Sequence, residues 1–270
     1  MFAETRREPL REARKKRRIE TPSEAGQRRL IEGEGRPLFL ADWLRLVFIH
    51  YAVDPARLQP EVPFALDCYE GRAYVSLVAF VMHRLRFRRG GKATAWLTAP
   101  IATHPYLNVR TYVRHGGEPG IYFLAEWLPN LLSVPLGGVL FGLPYRFGHL
   151  DYRHLHETGH LEGCVTAPGA PGAVRYHAPV DREARYGLCE EGSLAAFAAE
   201  RYTAFTAWRS SRRLFRIWHP PWSLTRLDLT LDDDSLLAAT GAWRRHARFV
   251  GAHYTPGAHN VWMGRPLRAV

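Results

Sequence analysis

The chain has 270 residues, 46% hydrophobic, 12% aromatic and 23% charged, a mix that supplies a globular core and excludes disorder throughout. Its formal charge is +11, and all but three of the 37 basic residues are arginines, so side-chain amine chemistry can draw only on Lys15, Lys16 and Lys92. The three cysteines, Cys68, Cys164 and Cys189, are far apart and form no CxxC, which argues against a disulfide scaffold or a Cys-based zinc site and fits a reducing compartment.

Residues 1–35 carry ten Lys/Arg against seven Asp/Glu and almost no aromatics, so they read as a charged tail, disordered or a loose helix, ahead of a single domain spanning 36–270. The tail has no apolar stretch of the secretory kind, and a cytoplasmic location is expected. Lys15-Lys16-Arg17-Arg18 has the composition of a nucleic-acid patch, and equally that of a solvated tail.

From Arg36 the pattern is mostly strand. Trp43–Tyr51 is rich in β-formers, and Asp54-Pro55 gives a helix start. Phe64–Tyr69 and Arg72–Met82 read as strands joined at Glu70-Gly71, a tight-hairpin signal. Leu107–Arg114 and Gly120–Ala125 form a second pair, and Ser133 to about Gly142 is a short apolar helix. The run Ile121–Leu143 is long enough to cross a bilayer, but Glu126, Asn130 and two prolines interrupt it, so no membrane span is expected. His149–Glu157 and Leu161–Ala167 are strands across Thr158-Gly159, and Leu194–Glu200 is helical. Arg201–Trp208, Arg213–Trp218, Arg248–Tyr254 and Asn260–Arg265 close the series as strands. Many hairpins, few short helices and no βαβ rhythm imply an α+β fold, mainly antiparallel β, curved or closed, with helices at its edge.

Six phrases occur in order: LNVRTYV (107–113), GEPGIYF (117–123), GLPYRFGHL (142–150), AAERYTAFT (198–206), RLFRIWHPPW (213–222) and NVWMGRP (260–266). Together they resemble the YqjF-like bacterial family, domain of unknown function 2071, over roughly residues 36–266. That family is related by fold to acetoacetate decarboxylase, so the resemblance implies an antiparallel β-cone or barrel around a small pocket. It supplies no activity. The decarboxylase works through a Schiff-base lysine, and no matching lysine can be placed in this sequence.

Along 107–113, Asn108, Arg110 and Tyr112 alternate with Val109, Thr111 and Val113, so each trio shares one strand face. In a cone, the first trio could line the cavity, with Arg110 holding a carboxylate and Asn108 and Tyr112 orienting it. The same row would also suit solvent or a structural ion pair. Glu126 ends an apolar strand, where a raised pKa would suit acid–base work and a capping role is the plainer alternative. Arg201 and His219, the latter within Trp218-His219-Pro220-Pro221-Trp222, complete the candidate ligand-binding residues.

His156-Glu157-Thr158-Gly159-His160 is a literal HExxH. In zinc peptidases it lies on a helix, whereas here Thr158-Gly159 falls between two strand-like runs and position 166 is Thr, so no zinc site is expected. Lys92, beside Gly90-Gly91, reads as an exposed loop residue rather than a Schiff-base nucleophile. No nucleotide-cofactor fingerprint is present, and no cofactor is expected. The sequence therefore points to a protein that binds a small anionic or carbonyl-bearing organic molecule. A lyase in the same pocket and a nucleic-acid-associated protein acting through the basic tail are the alternatives. It does not give an oligomeric state.

Overall fold

A large curved sheet forms the body of the protein, and both of its faces are buried. In the computed structural model, residues 20–33, 36–208 and 211–269 are described, with the side chain of Lys92 left out. In chain order the strands are β1 Pro37–Val53, β2 Ala65–Leu66, β3 Ala73–Phe87, β4 His104–His115, β5 Glu118–Leu128, β6 Tyr145–Phe147, β7 His149–Leu155 and β8 His160–Thr166. There follow β9 Ala173–Pro179, β10 Gly187–Leu188, β11 Thr203–Trp208, β12 Ser211–Trp218, β13 Ser223–Leu227, β14 Thr230–Asp233, β15 Arg248–Gly264 and β16 Leu267–Arg268. The α-helices are short: α1 Pro22–Glu32, α2 Pro55–Leu58, α3 Ala95–Thr98, α4 Ser133–Phe141 and α5 Leu194–Ala199.

The large sheet runs β15-β1-β3-β4-β5-β11-β12, with β11 parallel to β5 and the other neighbours antiparallel. Two pairs, Ile217↔Met263 and Trp218↔Trp262, also bring β12 alongside β15, without closing the sheet into a full barrel. A four-stranded sheet, β14-β9-β8-β7, covers one face. Between the sheets lies a core that includes Val47, Ile49, Leu77, Val109, Leu161, Val174 and Tyr176. The opposite face curls around a second cluster that includes Phe48, Phe80, Tyr106, Phe123 and Trp222. Double burial explains why β1 reads LVFIHYAV with little polar alternation: neither face meets water.

The antiparallel β reading and the Glu70-Gly71 turn hold. Both turn residues have positive φ, 48° and 72°, as a two-residue hairpin turn requires. The turn closes only the Tyr69–Arg72 bridge, and the strand expected before it shrinks to Ala65–Leu66, which pairs with β4 instead of β3. The two last predicted strands are one, β15, which bends at Gly257 (φ 118°), where a Cβ would stand 2.1 Å from the Trp43 carbonyl oxygen.

Of the two readings of the tail, residues 22–32 take the helical one, and the helix is docked, not loose. These residues form α1, with Thr21 and Glu24 making a capping box. Ser23, Gly26 and Leu30, spaced on one helix face, are buried, and Leu30 is wholly inaccessible. Gly26 lies against the Tyr202 ring, and Ser23 Oγ donates to the His219 carbonyl at 3.0 Å. A single narrow contact face within a highly charged segment escapes composition-based reading. Lys15-Lys16-Arg17-Arg18 lies outside the described residues.

Candidate functional site

The alternation along β4 sends Asn108, Arg110 and Tyr112 to the curled face and Val109 and Val113 to the inter-sheet core. On β5 the alternation breaks. Val109 pairs with Ala125 but Arg110 pairs with Phe123, so one extra residue bulges between them. The bulge shifts the parity of the strand. Ile121 and Phe123 face the curled side before it, and Glu126 does so after it, while Ala125 and Trp127 turn to the other core. Glu126 thereby sits directly across from Asn108, whose Nδ2 donates to Glu126 Oε1 at 3.2 Å.

This pair stands in the wall of a cavity of about 140 Å³, otherwise mostly apolar, bounded by Phe39, Phe80, Tyr106 and Tyr145 and by Leu136 and Leu140 of α4. Leu136 and Leu140 are also solvent-exposed, so the opening lies at α4. A narrow recess of about 20 Å³ shares Trp43, Phe80, Asn108, Phe123 and Ile217 with it and is bounded further in by Arg110, Arg201 and His219. Four buried polar atoms in these walls have no hydrogen-bond partner: Trp43 Nε1, Asn108 Oδ1, Arg110 Nε and Glu126 Oε2. Buried polar groups are ordinarily paired, and each left unpaired costs about 1–3 kcal/mol.

Burial pushes the Glu126 pKa up to about 8; the bond from Asn108 and the charge of Arg110 only partly oppose the shift. At neutral pH its carboxyl is mainly protonated and Oε2 can donate a hydrogen bond. Nearby, His104 packs against Tyr106 with ring centroids 4.7 Å apart and the rings tilted by 30°, and neither of its nitrogens has a partner among the described residues. Burial lowers its pKa to about 4, so the ring is neutral.

The remaining predicted residues are engaged with protein groups. Arg110 Nη2 donates to the Ala198 carbonyl at 2.9 Å, its guanidinium lies over the Phe48 ring, and among the described residues no carboxylate pairs with it. Tyr112 lies in neither cavity wall; its hydroxyl shares a hydrogen bond with Ser76, which bonds His50. Arg201 Nη1 donates to Asp67 at 2.7 Å and stacks over Phe197, a buried structural ion pair that also edges the recess. His219 accepts from Trp222 Nε1 at 3.2 Å, bonds the Pro220 carbonyl at 2.8 Å and stacks on Tyr202, and burial lowers its pKa to about 4.

The HExxH segment is the hairpin expected: a 3-10 turn His156–Thr158, then Gly159 at φ 81° and His160 opening β8. Among the described residues no group of three or more His, Cys, Asp or Glu is placed to hold a metal, and no helix is long and apolar enough to cross a membrane. The run 121–143 divides instead into β5 and α4. Lys92 falls in the 3-10 turn Gly91–Thr94.

Sequence reasoning missed Tyr106, His104, Trp43 and Tyr145. Extending the β4 alternation back two and four residues from Asn108 would have found Tyr106 and His104. Tyr145 offers no local signal. It is brought in because Gly137 lets α4 lie against its ring, where a Cβ would approach to 2.3 Å.

Residues 40–259 match the family model DUF2071, described as an uncharacterized conserved protein. The uncharacterized protein YqjF of Bacillus subtilis (strain 168) is 27% identical over 222 residues, covering 80% of this chain and 86% of that protein. Among solved structures, an acetoacetate decarboxylase-like enzyme from Sphingomonas wittichii RW1 matches with a TM-score of 0.57 at 15% identity, over 87% of this chain and 94% of its own. The enduracididine biosynthesis enzyme MppR complexed with pyruvate matches with a TM-score of 0.58 at 16% identity, over 88% and 94%. These likenesses bear out the fold read from the six sequence phrases.

Proposed function

The chain belongs to the DUF2071 family, and on that premise we propose that it binds a small carbonyl-bearing or anionic organic molecule in the cavity beneath α4. The observation that carries this reading is the cluster of unpartnered polar atoms on Trp43, Asn108, Arg110 and Glu126 at the walls of an otherwise apolar space. With Glu126 protonated, three of the four groups offer a hydrogen and Arg110 adds a positive charge unmatched by any carboxylate among the described residues. An oxygen of a ketone or carboxylate can accept from these three donors, and Asn108 Oδ1 is left to accept from any hydroxyl or N–H the ligand carries.

The apolar part sets the size. A cavity of about 140 Å³ is close to the roughly 150 Å³ apolar cavity known to take benzene, so the body of the ligand is of about that bulk. Aromatic or branched 2-oxo acids combine such a body with the required oxygens. Pyruvate, bound by the structural neighbour MppR, has the oxygens without the body.

Calorimetric titration with phenylpyruvate and with pyruvate tests the proposal. Phenylpyruvate should bind the more tightly, and Arg110→Met should abolish the binding while the melting temperature changes little. Equal indifference to both ligands, together with no co-purifying small molecule in native mass spectra, would remove the reading. Borohydride trapping separates binding from amine catalysis: no covalent adduct is expected.

A further inference from the structure

We propose that the face around the cavity mouth docks on an anionic lipid surface. Two short helices, α3 and α4, form this face. Asn130, just before α4, links them by donating to the Pro100 carbonyl at 2.6 Å, directly after α3. Their outward side chains are apolar and strongly exposed: Trp96 (71%), Leu97, Leu131 (69%), Leu132, Val139 (63%) and Leu140. Scattered exposed apolar residues need no explanation, but a grouped set marks an interaction surface.

Charge identifies the partner. Asp42 of β1, the strand that brings Phe39 to the rim, is buried and paired with Arg84, and segments 84–117, 127–150, 201–227 and 235–270 at this end contain no aspartate or glutamate. They carry arginines set beside the apolar face. Arg213 Nη1 donates to the Val139 carbonyl at 3.1 Å, at the end of α4. Exposed Arg88 and Arg265 flank the rim residue Phe39: the backbone N–H of Arg88 bonds Leu38 and that of Arg265 bonds Arg36. Exposed Arg89 follows, close ahead of α3. An apolar tip fringed by arginines without acids matches an interface of acyl chains under anionic headgroups. A second copy fits poorly, because its fringe would repel this one. Nucleic acid gives the aliphatic side chains nothing to bury against. Docked in this way, the mouth at Leu136 and Leu140 would open toward the lipid, a route for ligands with an apolar body.

Co-sedimentation of the full chain with vesicles of phosphatidylcholine alone, or mixed with phosphatidylglycerol, tests the proposal. Binding is expected for the mixed vesicles, weakening as salt rises. Arg88→Ala and Arg89→Ala should each weaken it roughly fivefold. The double variant Leu132→Asp/Val139→Asp should weaken it at least about tenfold with an unchanged melting temperature, because both positions are exposed. Vesicle-induced blue-shifted tryptophan emission should disappear in Trp96→Phe, which gives an independent readout. The proposal fails if mixed vesicles are not bound at low salt, or if the double variant binds as well as the parent, which would assign binding to another basic region such as Lys15–Arg18. It fails too if the double variant instead abolishes a concentration-dependent dimer, because a second copy would then cover this face.

Discussion

Asn108 and Glu126 face each other across β4 and β5, and the 3.2 Å bond from Asn108 Nδ2 to Glu126 Oε1 leaves the second carboxyl oxygen turned to the cavity without a partner. The carboxyl is held by one neutral donor in a site that disfavours charge. Its folded pKa, about 8, lies above the unfolded value near 4.5, so the folded state holds this proton more tightly. The stabilising contribution is complete below about pH 4.5 and is lost as pH rises through 8. Between those limits the slope is at most about 1.4 kcal/mol per pH unit. Glu126→Gln keeps the shape and the acceptor while removing the titration. Melting temperature measured from pH 6 to 9 should fall in the parent and stay nearly flat in the variant. A parallel decline in both would mean that Glu126 is already ionised at pH 6.

Arg110 and Arg201 are both buried and both edge the recess, yet removing them should have opposite consequences. Arg201 pairs with Asp67, which is itself mostly buried. Arg201→Met leaves Asp67 only the longer contacts of the half-exposed Arg114, from 3.2 Å, and should cost about 3 kcal/mol in denaturant unfolding, the low end for breaking a buried pair. Arg110 has no carboxylate to abandon; Arg110→Met keeps most of the volume and gives up one bond to the Ala198 carbonyl, a loss of about 1 kcal/mol. Comparable stability losses in the two variants would show that Arg110 is structural as well.

Helix α1 is a docked part of the domain. Leu30→Ala should destabilise by about 2–5 kcal/mol, the range for truncating a fully buried leucine. Gly26→Ala should also destabilise, because its new Cβ would stand 2.6 Å from the Tyr202 ring. Urea titrations that leave both variants at the parental midpoint would detach α1 from the core.

How much was legible can be judged along β4 and β5. The two faces of β4 followed from alternation alone, because period-2 geometry is local and the chain there is regular. The position of Glu126 did not follow, since the bulge after Phe123 reverses parity and its sequence, FLAEW, carries no glycine or other bulge signal. The partner of Arg201 was illegible for a different reason: Asp67 is 134 residues away, and only tertiary folding brings them together. Composition marked the run 121–143 as interrupted at Glu126, Asn130 and two prolines, but its division into a buried strand and an exposed helix depends on Asn130, whose side-chain oxygen accepts from the N–H groups of Leu132 and Ser133 at 3.0 Å.

Acid lability should come from histidines. Burial holds His50 at about 3 and His104, His154 and His219 at about 4, all below the ordinary value of 6.5. The folded state binds these protons less tightly than the unfolded chain. Their contribution is therefore complete above about pH 6.5 and is lost as pH falls from there toward 4. Four such groups outweigh the two opposing carboxyls, Glu126 and Glu200, both raised by burial, over pH 4.5–6.5, so stability should peak near pH 6.5 and fall on both sides. His104 isolates one of the four cleanly. Among the described residues it makes no hydrogen bond and only packs against Tyr106, so His104→Phe preserves the packing, removes two unpaired buried nitrogens and breaks nothing. The variant should be more stable than the parent at neutral pH by about 1–3 kcal/mol. Its advantage should widen as the pH drops to 5, because the parent alone must then keep this imidazole uncharged. Unfolding free energies at pH 7.5 and 5 decide the point: an advantage that shrinks on acidification would show that His104 gains a proton in the folded protein, and so has a partner.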